Sequence, residues 1–71
     1  MKTAYYTGEG QNVPAIILEK KRVWATVDLL KDGSLNNWER WEVPIEDLNE
    51  TNDFEIKTNP ILGAVCIWRK K

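Results

Sequence analysis

Pro44 limits this chain more than any other residue. Trp38, Trp41, Ile45 and Leu48 recur at heptad spacing, so the stretch 38–48 would otherwise read as one amphipathic helix. A proline inside a helix removes a hydrogen bond and clashes with the preceding turn, at about 3 kcal/mol, and it drives the residue before it out of the helical region. The stretch therefore divides into a strand over 38–43 and one helical (3-10) turn near 44–48. Pro44 is expected at the first position of that turn, with Glu46 and Asp47 favourably placed beside its N-terminal dipole and Leu48 returning to the core.

The flanking segments carry strand signals. Val13-Pro14 leads into Ala15-Ile16-Ile17-Leu18-Glu19, rich in β-branched residues and opened by a proline. Val23, Ala25, Val27 and Leu29 alternate with Trp24, Thr26, Asp28 and Leu30, giving one consistently apolar face. A helix over 15–30 would carry Lys20 on the same stripe as Ile16, Val23 and Val27, and would have to hold many β-branched residues. Lys31-Asp32-Gly33-Ser34 supplies a turn, and 49–53 reads as a polar loop. Phe54-Glu55-Ile56-Lys57 alternates, Thr58-Asn59-Pro60 turns, and Gly63 precedes a last strand, Ala64-Val65-Cys66-Ile67-Trp68. The expectation is an all-β chain: one domain over 1–71, with about five short antiparallel strands and one 3-10 turn. A sheet so small manages its edges by curling into a barrel. Whether the first six residues pair as a strand stays open.

The order hairpin, strand, single helical turn, last strand is similar to the small SH3-like barrels, in which a short 3-10 turn precedes the final strand. More locally, Asn37-Trp38-Glu39-Arg40-Trp41 with Ile45, Asp47 and Leu48 resembles, with a one-residue gap, a stretch of the SH3-like subunit S of photosynthetic NAD(P)H dehydrogenase-like complexes. That resemblance implies a peripheral docking subunit that helps to recruit ferredoxin, an acidic partner, through positive charge. The matching stretch here is acidic. SH3-like barrels host peptide-binding, nucleic-acid-binding and complex-assembly functions alike.

Composition narrows the chemistry. The chain has no His, one Cys and one Met. Imidazole catalysis, Ser-His and Cys-His dyads and His metal sites are thereby excluded, and Cys66 alone cannot make a zinc site or an internal disulfide. Gly8-Glu9-Gly10 lacks the third glycine and the strand-then-helix setting of a phosphate loop, so it is a turn. Glu46-Asp47 are adjacent rather than facing across a cleft, as carboxylate-based hydrolysis would require. No enzyme, cofactor or metal is expected. The longest apolar run, Ala15-Ile16-Ile17-Leu18, is far short of a membrane span, and the start of the chain has no signal-peptide pattern, so a cytoplasmic protein is expected.

Two features point to binding. Residues 39–55 hold seven acids and a single base, whereas the rest of the chain holds nine bases and four acids. Such segregation could steer a partner's approach. The four Trp are the second feature. If Val23, Ala25, Val27 and Leu29 face inward, Trp24 faces out. If Trp41 and Val43 face inward, Trp38 lies out beside Arg40 and Glu42. If Val65 and Ile67 face inward, Cys66 and Trp68 lie out. Trp, Tyr and Arg dominate interface energetics, so Trp24, Trp38, Trp68, Tyr5, Tyr6, Glu39, Arg40 and Glu42 form the expected partner-binding set, the partner being another protein or a second copy. The alternative is nucleic acid, bound through Lys20, Lys21, Arg22, Arg69, Lys70 and Lys71 with Trp24 and Trp68. Against it stands a net charge of −1.

Overall fold

The alternation at 24–30 is realised as a strand within an antiparallel sheet. The computed structural model describes residues 2–31 and 33–69. In chain order the strands are β1 (Lys2–Tyr6), β2 (Val13–Lys20), β3 (Trp24–Leu30), β4 (Trp38–Pro44), β5 (Leu48–Glu50), β6 (Phe54–Asn59) and β7 (Gly63–Trp68). Two 3-10 turns stand at Gly8–Gly10 and Ile45–Asp47. The first five strands form one sheet in the order β4-β3-β2-β1-β5, and β6 and β7 pair as a separate hairpin. The all-β expectation holds, with seven strands in place of about five. The additions are β1 and β5, which pair with each other as Ala4 with Glu50 and Tyr6 with Leu48. Asp32 of the expected Asp-Gly turn lies outside the described residues, whereas Gly33 takes the positive φ of 75° that such a turn needs.

Pro44 produces the break expected of it, one residue later. It ends β4 in an extended conformation, and the 3-10 turn begins at Ile45. This turn carries the chain from one edge of the five-stranded sheet to the other. A flat sheet would hold β4 and β5 about 19 Å apart. Three residues of 3-10 helix rise only about 2 Å each, so the sheet must curl at this end. Backbone bonds hold both ends of the turn: Ile45 N donates to Val23 O (2.8 Å) and Thr7 N to Asp47 O (2.8 Å). No ladder joins β4 to β5 among the described residues.

The two faces of the curled sheet carry separate cores. Ala4, Tyr6, Ala15, Ile17, Ala25, Val27, Leu29 and Val43 fill the concave side, with Val13, Ile45 and Leu48 against them. On the convex side the β6–β7 hairpin covers the sheet, burying Leu30, Phe54 and Cys66 with Tyr5, Trp38 and Ile56 packed around them. The hairpin turn is held by Asn59 Oδ1, which accepts from Ile61 N (2.8 Å) and Leu62 N (3.1 Å).

Several expected orientations are corrected. Val23 does not enter the core: it precedes β3 and is 60% exposed. In β7 the faces are inverted. Phe54 pairs with Trp68 and Ile56 with Cys66, so Cys66 and Trp68 turn toward the sheet while Val65 and Ile67 turn away with Lys57 and Glu55. Cys66 is buried, and that burial pushes its thiol pKa up. A β-bulge alters the end of β2. Ile17 faces Val27 but Glu19 faces Thr26, which leaves Leu18 as the unpaired extra residue and exposed.

Past the bulge, Lys20 comes opposite Ala25 and so onto the concave side. There its Nζ meets Glu50 at 3.0 Å, and Lys2 reaches the same carboxylate at 3.4 Å. The hydrogen bond from Lys20, then the charge of Lys2, hold the Glu50 carboxyl below its ordinary range. With the folded pKa below the unfolded one, this stabilisation is complete above the ordinary carboxylate range. It is lost as pH falls through the folded value. Between about pH 7 and about pH 3 the urea midpoint of the protein should therefore fall further than that of Glu50→Gln. Because the groups are exposed, the difference should shrink in about 1 M salt.

Candidate functional site

A groove of about 610 Å³ opens at the end of the sheet where β1 finishes and β2 begins. Tyr6, Pro14, Leu29 and Trp41 contribute its apolar lining, Trp68 reaches it from the hairpin, and Glu39 and Lys31 line it with charge. Strand register puts several of them there. Leu29 and Trp41 stand on the concave face because β3 and β4 pair Val27 with Trp41 and Leu29 with Glu39. Glu39 and Trp41 are two residues apart on one strand, hence side by side: Trp41 Nε1 donates to Glu39 Oε1 at 2.9 Å. Lys31 approaches Glu39 Oε2 at 3.7 Å. The loop after β1 closes tightly over Tyr6, since a Cβ on Gly8 would collide with the Tyr6 hydroxyl and ring.

Trp41 faces inward as expected but is no core residue. It lies on β4, an edge strand with no neighbour beyond it among the described residues, and remains 47% exposed. Trp38 is corrected in the opposite direction. It is half-buried between the sheet and the hairpin, and its Nε1 donates to Ala64 O at 2.7 Å. Trp68 is 48% exposed although it turns toward the sheet, where it stacks on Tyr5 (ring centroids 6.3 Å apart) and packs against Phe54 (5.3 Å). Trp24 is exposed as expected, at the first residue of β3 and so about 20 Å along the sheet from the groove. The expected trio of Trp24, Trp38 and Trp68 therefore forms no single patch, whereas Trp41 and Trp68 line one groove.

Tyr6 is buried in the concave core, and Tyr5 is half-buried with its hydroxyl donating to Asp53 Oδ2 at 3.2 Å. Burial first, and this bond second, raise the Tyr5 pKa. Arg40 Nε pairs with Asp28 at 3.3 Å across the convex face, and Glu42 lies exposed on the same face opposite Thr26.

Folding interleaves the two charge blocks. Of the acids in 39–55, Glu39 meets Lys31, Glu50 meets Lys2 and Lys20, and Glu55 meets Lys57 and Arg69, all bases from outside the segment. The basic triplets do not converge either. Lys20, Lys21 and Arg22 lie at and beyond the far end of β2, while Arg69 follows Trp68 at the groove end. Lys70 and Lys71 lie outside the described residues. No protein-family model, curated protein or solved structure matches this chain.

Four variants that each retain one tryptophan give a direct check on these placements. Acrylamide should quench Trp24, Trp41 and Trp68 efficiently and Trp38 poorly. A Trp38-only variant quenched as fast as the others would overturn the burial of that indole.

Proposed function

We propose that this chain is a non-catalytic protein-interaction or complex-assembly module of the SH3-like barrel type. Support for the fold assignment comes from the curled sheet, from the position of the 3-10 turn between β4 and β5, and from the pairing of β5 with β1. The binding reading rests on one observation: Trp41 and Trp68, each about half exposed, line the same groove. Indoles left in water beside a concave apolar surface supply large, stiff contact area at small entropic cost when a partner covers them. The occupant would be an extended, apolar segment of another protein lying over Tyr6, Pro14 and Leu29, with Glu39 orienting its polar groups. The acids beyond the groove act in this reading through local pairing, not as one pole.

The test is selection of peptides from a displayed random library against the folded protein, with binding read from tryptophan emission. Selected peptides should bind the protein and lose at least about tenfold in affinity to Trp41→Ala or Trp68→Ala. Peptides that bind both variants as well as the parent would overturn the groove assignment. So would failure to select any peptide together with binding of single-stranded DNA or RNA that disappears with salt, an outcome that moves the function to the lysine and arginine triplets.

A further inference from the structure

We propose that β4 is a homodimerisation edge, on which a second copy of this chain adds its own β4 antiparallel, with Trp41 of the two copies facing each other across a two-fold axis. The inference uses the strand edge and does not rest on the groove reading.

The β3–β4 register decides which backbone groups of β4 are free. Lys31 N donates to Asn37 O and Ile45 N to Val23 O, both in the register that pairs β3 with β4. Hydrogen-bonded pairs alternate along an antiparallel ladder, so Glu39, Trp41 and Val43 spend their backbone groups on β3. Those of Trp38, Arg40, Glu42 and Pro44 then point to the open edge, where no strand follows among the described residues. Pro44 fits this parity, because its missing N–H falls on the outward side and costs the sheet no bond.

A second β4 must pair outward residues with outward residues, which leaves few registers. Centring the pair on Arg40 sets Arg40 against Arg40, and centring it on Glu42 sets Glu42 against Glu42. Like charges directly opposite are destabilising. Centring on Trp41 sets Arg40 of each copy opposite Glu42 of the other, twice by symmetry, and Glu39 opposite Val43. The Arg40–Glu42 pairs are then the hydrogen-bonded ones, each exchanging two N–H···O bonds, so the joint gains four backbone bonds and two opposite-charge pairs. The Trp41 side chains meet at the closer, non-hydrogen-bonded position on the concave face, where aromatic pairs stabilise a ladder. Charges that blunt an edge act by repelling an approaching strand. Here the order Arg40-Trp41-Glu42 is complementary to itself when reversed, so the same charges choose a register.

Sedimentation velocity over about 1 µM to 1 mM provides the test. The protein should pass from 8.3 kDa to twice that mass as concentration rises. Glu42→Arg, which sets arginines opposite each other, should weaken the dimer at least about tenfold. Arg40→Glu should do the same by opposing glutamates. An equimolar mixture of these two variants should restore the dimer as a heterodimer, since each glutamate then faces an arginine. Circular dichroism establishes that both variants are folded. The restored mixture guards against mistaking misfolding for lost pairing. The proposal is overturned if the parent stays monomeric throughout, if Glu42→Arg dimerises as the parent does, or if the folded variants fail to associate when mixed.

Discussion

Replacing Phe54 with alanine should remove at least about a third of the protein's stability. Phe54 is the largest fully buried side chain, and it forms the middle of the convex-side core with Leu30 and Cys66. Its ring meets Tyr5 edge-on at 5.7 Å and Trp68 at 5.3 Å, so truncation also removes the surface on which both aromatics rest. A buried Phe→Ala change costs about 3–5 kcal/mol. A chain of 71 residues commands in total only about 4–10 kcal/mol, so at least about a third of its stability goes with this one ring. The concave core should not survive independently, because Tyr5, Leu30 and Trp38 belong to the strands that build it and would lose their cover. Urea unfolding followed by far-UV circular dichroism and by tryptophan emission should give one transition for the parent. For Phe54→Ala the midpoint should fall by at least about a third in both signals. Phe54→Leu, which keeps most of the volume, should lose far less. An unchanged midpoint for the alanine variant would mean that the hairpin contributes nothing to the fold.

The contrast between the two sides of the molecule explains what could be read from the residues. Pro44 sits in an otherwise helical pattern, and its steric rule is local. A strand followed by a 3-10 turn could thus be inferred at 38–48 without knowledge of anything that packs there. Ala25, Val27 and Leu29 likewise declare their face, because Thr26 and Asp28 are polar. In β7 every residue from Ala64 to Trp68 is apolar or small, so its own alternation carries no sign. The sign is held by its partner: Phe54 and Ile56 alternate with Glu55 and Lys57, and the register transmits that choice across the turn to Cys66 and Trp68. Reading β6 first would have oriented β7 correctly. No comparable signal marks β5. Its three residues hold one half-buried side chain, Leu48, and it becomes a strand only because β1 offers it a ladder. Trp41 marks another limit. Its face was legible, but its exposure depends on β4 being last in the sheet, a property of topology rather than of local pattern. The charge blocks show the same limit from the other side, since residues distant in sequence neutralise one another once β1, β2 and β5 are neighbours.

Trp38 is where these considerations give opposite outcomes for two tryptophans that look alike in sequence. Trp24 and Trp38 both stand at the first residue of a strand and on its convex face, but the hairpin covers only one of them. Trp24→Ala should change stability by no more than about 0.5 kcal/mol, as exposed positions do. Trp38→Ala should cost about 3 kcal/mol, because it empties the space between Leu30 and the hairpin and strips Ala64 O of its donor. The two contributions separate in Trp38→Phe, which retains an aromatic ring and removes only the Nε1 donor, and should lose about 1 kcal/mol. Peptide or partner affinity measured on the folded fraction should be almost untouched by Trp38→Phe. A partner anchor would behave in the reverse manner, with stability preserved and binding lost. Urea midpoints for the three variants, taken beside the binding data for Trp41→Ala and Trp68→Ala, therefore assign each indole to the fold or to the groove. Should Trp38→Ala unfold at the parent's midpoint, the packing of Trp38 against the hairpin and its bond to Ala64 would contribute nothing to stability.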